Sequence, residues 1–331
     1  RRQRQMCIRD SFCDAVQALV FGDNEARQQK RICTIQTLGG TGALRLGAEL
    51  AYDYLGATNG YVSNPTWGNH ISLFEHAGLA VEKYPYYNPE THAVDTQVFF
   101  DYLSKLAPKS IVLLHGCCHN PTGADLSKED WQTVLEIVQE RDLIPFVDMA
   151  YQGFGEGLEE DPYGIRLLAE AKVNFFAATS CSKNFGLYGE RTGALHLVSS
   201  SAEEAKTVGS IIKSLVRREY SNPPAYGANI VTEILSTPEL YKAWQNEITE
   251  MRTRVKAMRT LLVAETQRQG LSMDFIAKQQ GMFSFTGFSV EQMVALRKEY
   301  GVYGINNGRI CIAGLNEHNV SYVAEALAKV A

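Results

Sequence analysis

Most of what this sequence predicts starts from one stretch, Ser180-Cys181-Ser182-Lys183-Asn184-Phe185-Gly186-Leu187-Tyr188-Gly189-Glu190-Arg191. It follows Phe175-Phe176-Ala177-Ala178-Thr179, an uncharged apolar run that is typical of a buried strand in a parallel sheet. A lysine directly after such a strand is unusual, because a charged ammonium group is costly to remove from water. Lys183 avoids that cost if it loses its proton, and the free amine is then a nucleophile that forms Schiff bases with carbonyl compounds.

Groups that can hold a phosphate flank this lysine in the sequence. They are the hydroxyls of Ser180 and Ser182 and the guanidinium of Arg191. A carbonyl compound that also carries a phosphate is pyridoxal 5'-phosphate, so the stretch predicts a site for that cofactor. On its own, a Ser-x-Ser-Lys motif also fits an ordinary surface lysine in a loop, because short motifs often match by chance.

Four other stretches accompany it, namely Asn120-Pro121-Thr122-Gly123, Asp148-Met149-Ala150-Tyr151-Gln152-Gly153, Tyr220-Ser221-Asn222-Pro223-Pro224 and Gly308-Arg309. The whole set closely resembles the aspartate/aromatic aminotransferases, pyridoxal-phosphate enzymes of fold type I, from about Phe12 to Ala331. The resemblance implies an α/β fold, with a mostly parallel sheet sandwiched by helices and a smaller C-terminal α+β domain. It also implies a homodimer that moves the amino group between aspartate or aromatic amino acids and 2-oxoglutarate through an aldimine on Lys183.

Composition excludes several other classes of protein. The chain has 331 residues, 45% of them hydrophobic, and a net charge of −5, which offers no attraction to nucleic acid or to an anionic membrane. No apolar run is long enough to span a bilayer. The seven cysteines show no framework spacing, which is typical of a reduced, cytoplasmic protein.

The first ten residues, Arg1–Asp10, are basic and fit neither a helical nor a strand period. The family that the chain resembles has a tyrosine-containing segment at this place and a further arm upstream. A truncated N-terminus with a foreign leader is therefore expected, with a divergent N-terminus as the alternative. The remaining chain is predicted to form a large pyridoxal-phosphate-binding domain over residues 11–250 and the C-terminal part of a small domain over residues 251–331.

The sequence predicts a second phosphate contact near the start of this large domain. The run Ile32–Thr37 alternates like a strand, Gly39-Gly40-Thr41-Gly42 follows as a glycine turn, and Ala43–Leu55 has helical spacing. Free N–H groups at such a helix start attract anions, although a plain tight turn fits the same residues. The resemblance implies that Gly39, Gly40 and Thr41 contact the cofactor phosphate.

Further strands are predicted over residues 61–63, 111–114, 143–147, 194–198, 281–286 and 309–313, and helices over residues 127–141, 202–218, 238 to about 270 and 316–330. Because ligands of parallel sheets lie beyond the carboxyl ends of the strands, the polar residues that follow the strands should converge on one site. Trp67 follows one strand, and as an aromatic residue it also fits the core. The resemblance implies that Trp67 stacks on the pyridine ring and that His70 lies behind Asp148.

The cluster His115-Gly116-Cys117-Cys118-His119 invites a metal site, but it lacks the paired spacing of metal ligands, and no metal is predicted. The next residue, Asn120, is implied by the resemblance to donate to the phenolate oxygen of the cofactor.

Asp148 ends a buried strand, where a carboxylate rarely contributes to stability. An ionised carboxylate beside a pyridine nitrogen keeps that nitrogen protonated and makes the ring an electron sink. An aspartate that caps the next turn is the alternative. Tyr151, three residues further on, can share the phenolate oxygen with Asn120.

Substrate contacts follow from two arginines. Arg309 is expected to bind the α-carboxylate, since a guanidinium matches a carboxylate bidentately. The resemblance implies that Arg217 binds a distal carboxylate in the neighbouring subunit's site, although an arginine at a helix end also complements the helix dipole. Thr41 and Asn222 match the aspartate-preferring pattern. Another pyridoxal-phosphate reaction, such as decarboxylation or β-elimination, and an inactive fragment that only binds the cofactor or a partner remain as alternatives.

Overall fold

The computed structural model of the chain describes residues 2–331, with side chains from residue 10 onward. Its helices are α1 (Arg2–Phe21), α2 (Glu25–Gln28), α3 (Gly39–Leu55), α4 (Gly68–His76), α5 (Thr96–Leu103), α6 (Lys128–Arg141), α7 (Tyr163–Glu170), α8 (Ala202–Glu219), α9 (Ala225–Ser236), α10 (Pro238–Arg268), α11 (Phe275–Lys278), α12 (Val290–Tyr300) and α13 (Val320–Val330). Its strands are β1 (Ile32–Leu38), β2 (Asn59–Asn64), β3 (Ala80–Pro85), β4 (Tyr87–Asn88), β5 (Ala93–Val94), β6 (Ile111–His115), β7 (Ile144–Met149), β8 (Phe175–Ser180), β9 (Thr192–Val198), β10 (Phe283–Phe285) and β11 (Arg309–Cys311).

A seven-stranded sheet with the order β1-β9-β8-β7-β6-β2-β3 forms the centre of the molecule. Strand β9 pairs antiparallel with both β1 and β8, and the other pairs are parallel. The α/β architecture expected from the sequence is therefore confirmed. Because β9 runs against its neighbours, its first residue lies at the same edge as the last residues of the parallel strands. The pairing of Thr192 with Leu38 and of Gly193 with Ser180 fixes that edge.

Apolar side chains cover both faces of this sheet. On one face, α3, α4 and α8 supply buried residues such as Leu44, Phe74 and Ile212. On the other face, α5 and α6 supply residues such as Phe99 and Trp131. All six residues of β8 are buried, as the apolar run before Ser180 predicted.

A separate apolar core lies in the C-terminal part of the chain. It includes Val255 and Leu262 of α10, Leu296 of α12 and Leu327 of α13. This second core fits the small domain predicted over residues 251–331. The boundary at residue 250 stays a prediction, because α10 runs across it without a break.

Several predicted bounds were wrong. Helix α3 begins at Gly39, so the four residues taken as a glycine turn form its first turn. The predicted strands 281–286 and 309–313 shorten to β10 and β11, and a 3-10 turn, Ile312–Gly314, follows β11. The last helix begins at Val320, because the side chains of Asn316 and Asn319 bond to main-chain N–H groups of Asn316–Asn319 and hold a turn there.

The N-terminal segment also differs from the expectation. Helix α1 begins at Arg2, whereas residues 1–10 showed no helical period. Helix propagation costs less than nucleation, and Arg and Gln are good helix formers, so a helix anchored by the buried Phe12 and Val16 can extend backward without an apolar stripe. The foreign leader over residues 1–10 stays a prediction, because residue 1 is not described and only the main chain of residues 2–9 is. Within residues 2–331, no helix combines the length and apolar character that crossing a bilayer requires.

Candidate active site

A cavity of about 300 Å³ opens at the carboxyl edge of the central sheet. Its lining includes most of the residues that the sequence singled out: Gly40, Thr41, Trp67, Asn120, Asp148, Tyr151, Ser180, Ser182, Lys183, Arg191 and Arg309. A larger cavity of about 590 Å³ lies at the opposite edge, where β7 and β8 begin, and none of these residues lines it. The convergence predicted from strand ends is therefore found at one place.

One end of the cavity combines groups that can hold an anion. Helix α3 starts there, and its N-cap residue, Leu38, supplies no side-chain hydrogen bond, so the first N–H groups of the helix remain available. Gly39 has a φ of +69°, and a Cβ atom at this position would lie 2.6 Å from Nη2 of Arg191. A side chain here would displace the Arg191 guanidinium from the start of the helix, and the positive φ would strain any residue other than glycine. Nη1 of Arg191 donates to the Tyr188 carbonyl at 2.9 Å, which orients its side chain.

Lys183 lines the same cavity and interacts electrostatically with Arg191 and with Asp148. Its Nζ is 4.7 Å from the centre of the Tyr151 ring and 5.9 Å from that of the Tyr188 ring. Burial lowers the pKa of the Lys183 ammonium, the Asp148 carboxylate opposes that effect, and the charge of Arg191 adds to it. The net lowering is the direction that the position after a buried strand predicted, and it favours the nucleophilic free amine.

Asp148 forms the acidic group of the cavity. Its Oδ2 lies 3.0 Å from Nε2 of His70, and Nδ1 of His70 lies 2.8 Å from Oγ1 of Thr66. Burial alone would raise the pKa of Asp148, but the hydrogen bond with His70 and the electrostatic attraction of His70 and Lys183 lower it overall. The carboxylate is therefore ionised at neutral pH. His70 is fully buried behind Asp148 and does not line the cavity itself.

At the substrate side, Nη1 of Arg309 donates to Oδ1 of Asn120 at 2.7 Å. The Arg309 guanidinium carbon lies 4.3 Å from the centre of the Phe283 ring, which is a cation–π contact. Burial lowers the pKa of Arg309, and Tyr151 and Cys311 oppose that effect. Arg309 is half-buried, so it presents a charged, oriented fork to the cavity.

Two predicted substrate residues lie outside the cavity of this chain. Arg217, at the end of α8, is exposed and donates to Oγ of Ser221 at 2.5 Å. Asn222 is also exposed. Neither lines the cavity, and their service to a neighbouring subunit stays a prediction.

Sequence reasoning missed several lining residues, among them His115, Tyr188 and Phe283. His115 ends β6 next to Asp148, and neither ring nitrogen has a hydrogen-bond partner among the described residues. Burial, with repulsion from His70, lowers the pKa of His115 to about 3, so the ring is neutral. Its place at the end of a buried strand, like that of Asp148, is the signal in the sequence that indicates a site residue.

Comparisons with known proteins agree with this geometry. The family model described as aminotransferase class I and II matches residues 5–327. The chain is 47% identical to an aromatic-amino-acid aminotransferase of Escherichia coli strain K12, over 96% of this chain and 80% of that protein. It is 42% identical to an aspartate aminotransferase of Pseudomonas aeruginosa, over 97% of this chain and 81% of that protein.

A solved structure shows the same likeness. The aromatic-amino-acid aminotransferase of Burkholderia pseudomallei, covalently bound to pyridoxal phosphate, superposes with a TM-score of 0.95 at 44% identity. The alignment covers 97% of this chain and 81% of that one.

Proposed function

This chain belongs to the aminotransferase class I and II family, and we propose that it exchanges the amino group of aspartate or aromatic amino acids with 2-oxoglutarate. The observation that carries the proposal is the position of Lys183. Its partly buried amine has a lowered pKa and interacts electrostatically with the ionised Asp148 and with Arg191, which lies over the uncapped start of α3. A lysine in that setting suits covalent chemistry on a carbonyl group.

The donor set fits pyridoxal 5'-phosphate. The helix start with Gly39, Gly40 and Thr41, the hydroxyls of Ser180 and Ser182 and the guanidinium of Arg191 would hold the phosphate. Trp67 would offer the flat face for the ring, and Asp148, supported by His70, would hold a proton on the ring nitrogen. Asn120 accepts from Arg309 through its Oδ1, so its amide N–H groups remain to donate to the phenolate oxygen, together with the Tyr151 hydroxyl. When bound, this cofactor supplies an electron sink for the bonds at the substrate α-carbon.

The chain's own residues then account for substrate orientation and proton transfer. Arg309 binds the α-carboxylate as a fork, and Phe283 and Asn120 keep the guanidinium in place. The Nζ atom of Lys183, free once substrate has taken its place, moves the proton from the substrate α-carbon as general base and acid.

Assembly and location belong to the proposal as well. A homodimer would bring Arg217 and Asn222 of one subunit to the other subunit's cavity, because both lie exposed at the end of α8 and beyond it. The cytoplasm is the proposed location.

A coupled assay tests the proposed activity. The purified chain, loaded with pyridoxal 5'-phosphate, is given 2-oxoglutarate together with aspartate, tyrosine or phenylalanine, and glutamate formation is followed. Formation of glutamate with any of the three supports the proposal. Release of carbon dioxide or ammonia without glutamate would instead assign another reaction of the same cofactor.

Arg217 should decide between dicarboxylic and aromatic substrates. We expect Arg217→Ala to lower kcat/KM for aspartate roughly 30-fold, because losing one partner of a charge pair costs about 2 kcal/mol at the lower end of the measured range. Phenylalanine has no distal carboxylate, so its kcat/KM should fall by less than about three-fold. The matched control is Arg218→Ala, which removes the neighbouring arginine and its long ion pair with Asp53 at 3.8 Å.

The same variant tests the dimer. If each site draws Lys183 and Arg217 from different chains, mixing Arg217→Ala with Lys183→Ala protein should restore one working site per heterodimer. Equal losses with both substrates, or no restoration on mixing, would show that Arg217 does not act on the distal carboxylate of a neighbouring site.

A further inference from the structure

The C-terminal core contains a buried guanidinium that the proposed reaction does not use. Arg259 of α10 is 2% exposed, and within residues 10–331 no carboxylate forms an ion pair with it. Burial lowers the pKa of Arg259 to about 10, which still leaves it charged at neutral pH. A buried charge without an ionic partner is costly, so its hydrogen bonds must compensate.

Four of the five hydrogen bonds of Arg259 go to one short segment, Gln280–Ser284. Nη2 of Arg259 donates to the carbonyls of Gln280, Gly281 and Phe283 at 3.0, 2.7 and 2.6 Å. Nη1 donates to Oγ of Ser284 at 2.5 Å and to the Ile276 carbonyl at 3.1 Å. The planar fork of one side chain therefore fixes the course of the main chain through this segment.

The Gln280–Ser284 segment in turn contacts the groups proposed to bind substrate. The Phe283 ring lies against Arg309, at 4.3 Å from its guanidinium carbon. Within this segment, Phe283 and Ser284 pair with Cys311 and Ile310 of β11, so the segment also positions the strand that carries Arg309. The N–H of Gln280 donates to the Gly123 carbonyl at 2.7 Å, in the loop that carries Asn120.

Helix α10 links this segment to the other side of the cavity. Nε1 of its Trp244 donates to the carbonyl of Asn184 at 2.7 Å, and the Trp244 ring stacks on Phe185 at 4.5 Å between ring centres. Both of these partners directly follow Lys183. One continuous helix thus contacts both the residues that follow Lys183 and the Gln280–Ser284 segment that packs against Arg309.

We propose that Arg259 is a positioning residue for substrate binding, which holds Phe283 so that Arg309 stays aimed at the substrate carboxylate. The proposal rests on the proposed function, because it assigns Arg309 to that carboxylate. The affinity for the substrate carboxylate therefore depends on Arg259, whereas the rate of proton transfer by Lys183 does not.

The test is Arg259→Lys in the cofactor-loaded chain, with succinate as a carboxylate probe. Lysine keeps the positive charge but lacks the planar fork and cannot reach all of these acceptors. We expect the Kd of succinate, measured by calorimetry, to rise about ten-fold, equivalent to about 1.4 kcal/mol. The KM for aspartate should rise in parallel, while kcat and the affinity for pyridoxal 5'-phosphate stay within about two-fold of the parent values.

The matched control is Arg254→Lys on the same helix. Arg254 donates to the carbonyls of Leu315 and Ala313 at 2.9 and 2.7 Å and does not bond to Gln280–Ser284. It should lower the Tm without changing the Kd of succinate. Ser284→Ala, which removes one acceptor of Arg259, is the milder second variant in case Arg259→Lys fails to fold, and it should raise the Kd about two-fold.

A double-mutant cycle with Phe283→Leu identifies the route of the effect. If Arg259 acts through the Phe283 ring, the double variant should bind succinate about as weakly as the weaker single variant, because neighbouring effects are not additive. Parental Kd values in Arg259→Lys and Ser284→Ala, or additive losses in the cycle, would overturn the role of Arg259. Failure of the parent chain to bind succinate or to form glutamate would instead count against the proposed function.

Discussion

Replacing Lys183 with alanine is expected to lower the transamination rate by about 10⁴-fold, the upper end of what a positioned acid–base group contributes. No other described lysine lines the cavity, so nothing can replace the proton transfer at the substrate α-carbon. The rate of glutamate formation in single turnovers measures the loss. The carbonyl cofactor should still enter the site, because Lys183→Ala leaves the helix start of α3 and Arg191 unchanged.

Chemical labelling checks the same residue without relying on turnover. Borohydride reduction after addition of pyridoxal 5'-phosphate should attach the cofactor to Lys183, as peptide mapping by mass spectrometry would show. Lys206→Ala, which removes an exposed lysine of α8, is the control and should keep both the label and the rate. Stoichiometric label on another lysine, or a Lys183→Ala rate within 100-fold of the parent, would contradict the assignment.

Asp148→Asn should lower kcat by about 10³-fold, comparable to the removal of one strong electrostatic contact to a transition state. Asparagine keeps the shape of the side chain but carries no charge, so it cannot hold a proton on a ring nitrogen. The phosphate-binding groups are unaffected, and the cofactor should remain bound after gel filtration, as its absorbance would show. The lowered pKa of Asp148 means that the parent carboxylate is ionised over the whole neutral range, so its loss should affect kcat at every pH tested there.

A second buried carboxylate separates this effect from a general loss of stability. Asp161 accepts hydrogen bonds from four main-chain N–H groups, those of Gly153, Gly155, Glu156 and Gly157. Asp161→Asn should lower the Tm but leave kcat within about five-fold, because this carboxylate does not line the cavity. If Asp148→Asn turns over within ten-fold of the parent, the electron-sink role of Asp148 is wrong.

The sequence by itself determined the buried strands and the polar residues that follow them. A continuous apolar run such as Phe175–Thr179 is typical of a strand in a sheet that is covered on both faces. A charged residue directly after such a run rarely contributes to stability, because removing its charge from water is costly. This is why Lys183 and Asp148 could be named as site residues before their distances were known, and why Thr41 and Trp67, which follow other strands, could be expected near them. The role of Asn120 was implied by the resemblance to the aminotransferase family.

Tertiary structure alone decided how the parts of the site support one another. The position of β9, which brings Arg191 to the cavity, depends on its antiparallel pairing with the nearby β8 and also on its pairing with β1, which spans more than 150 residues of sequence (as for Ile32 with Val198). The neutral state of His115 follows from desolvation of its ring, which depends on the elements packed around it. The hydrogen bonds from Arg259 to the carbonyls of Gln280, Gly281 and Phe283 join α10 to the start of β10, and no local sequence pattern predicts that contact. Side-chain periodicity records which residues are buried, but not which distant groups meet, because that depends on the packing of whole elements.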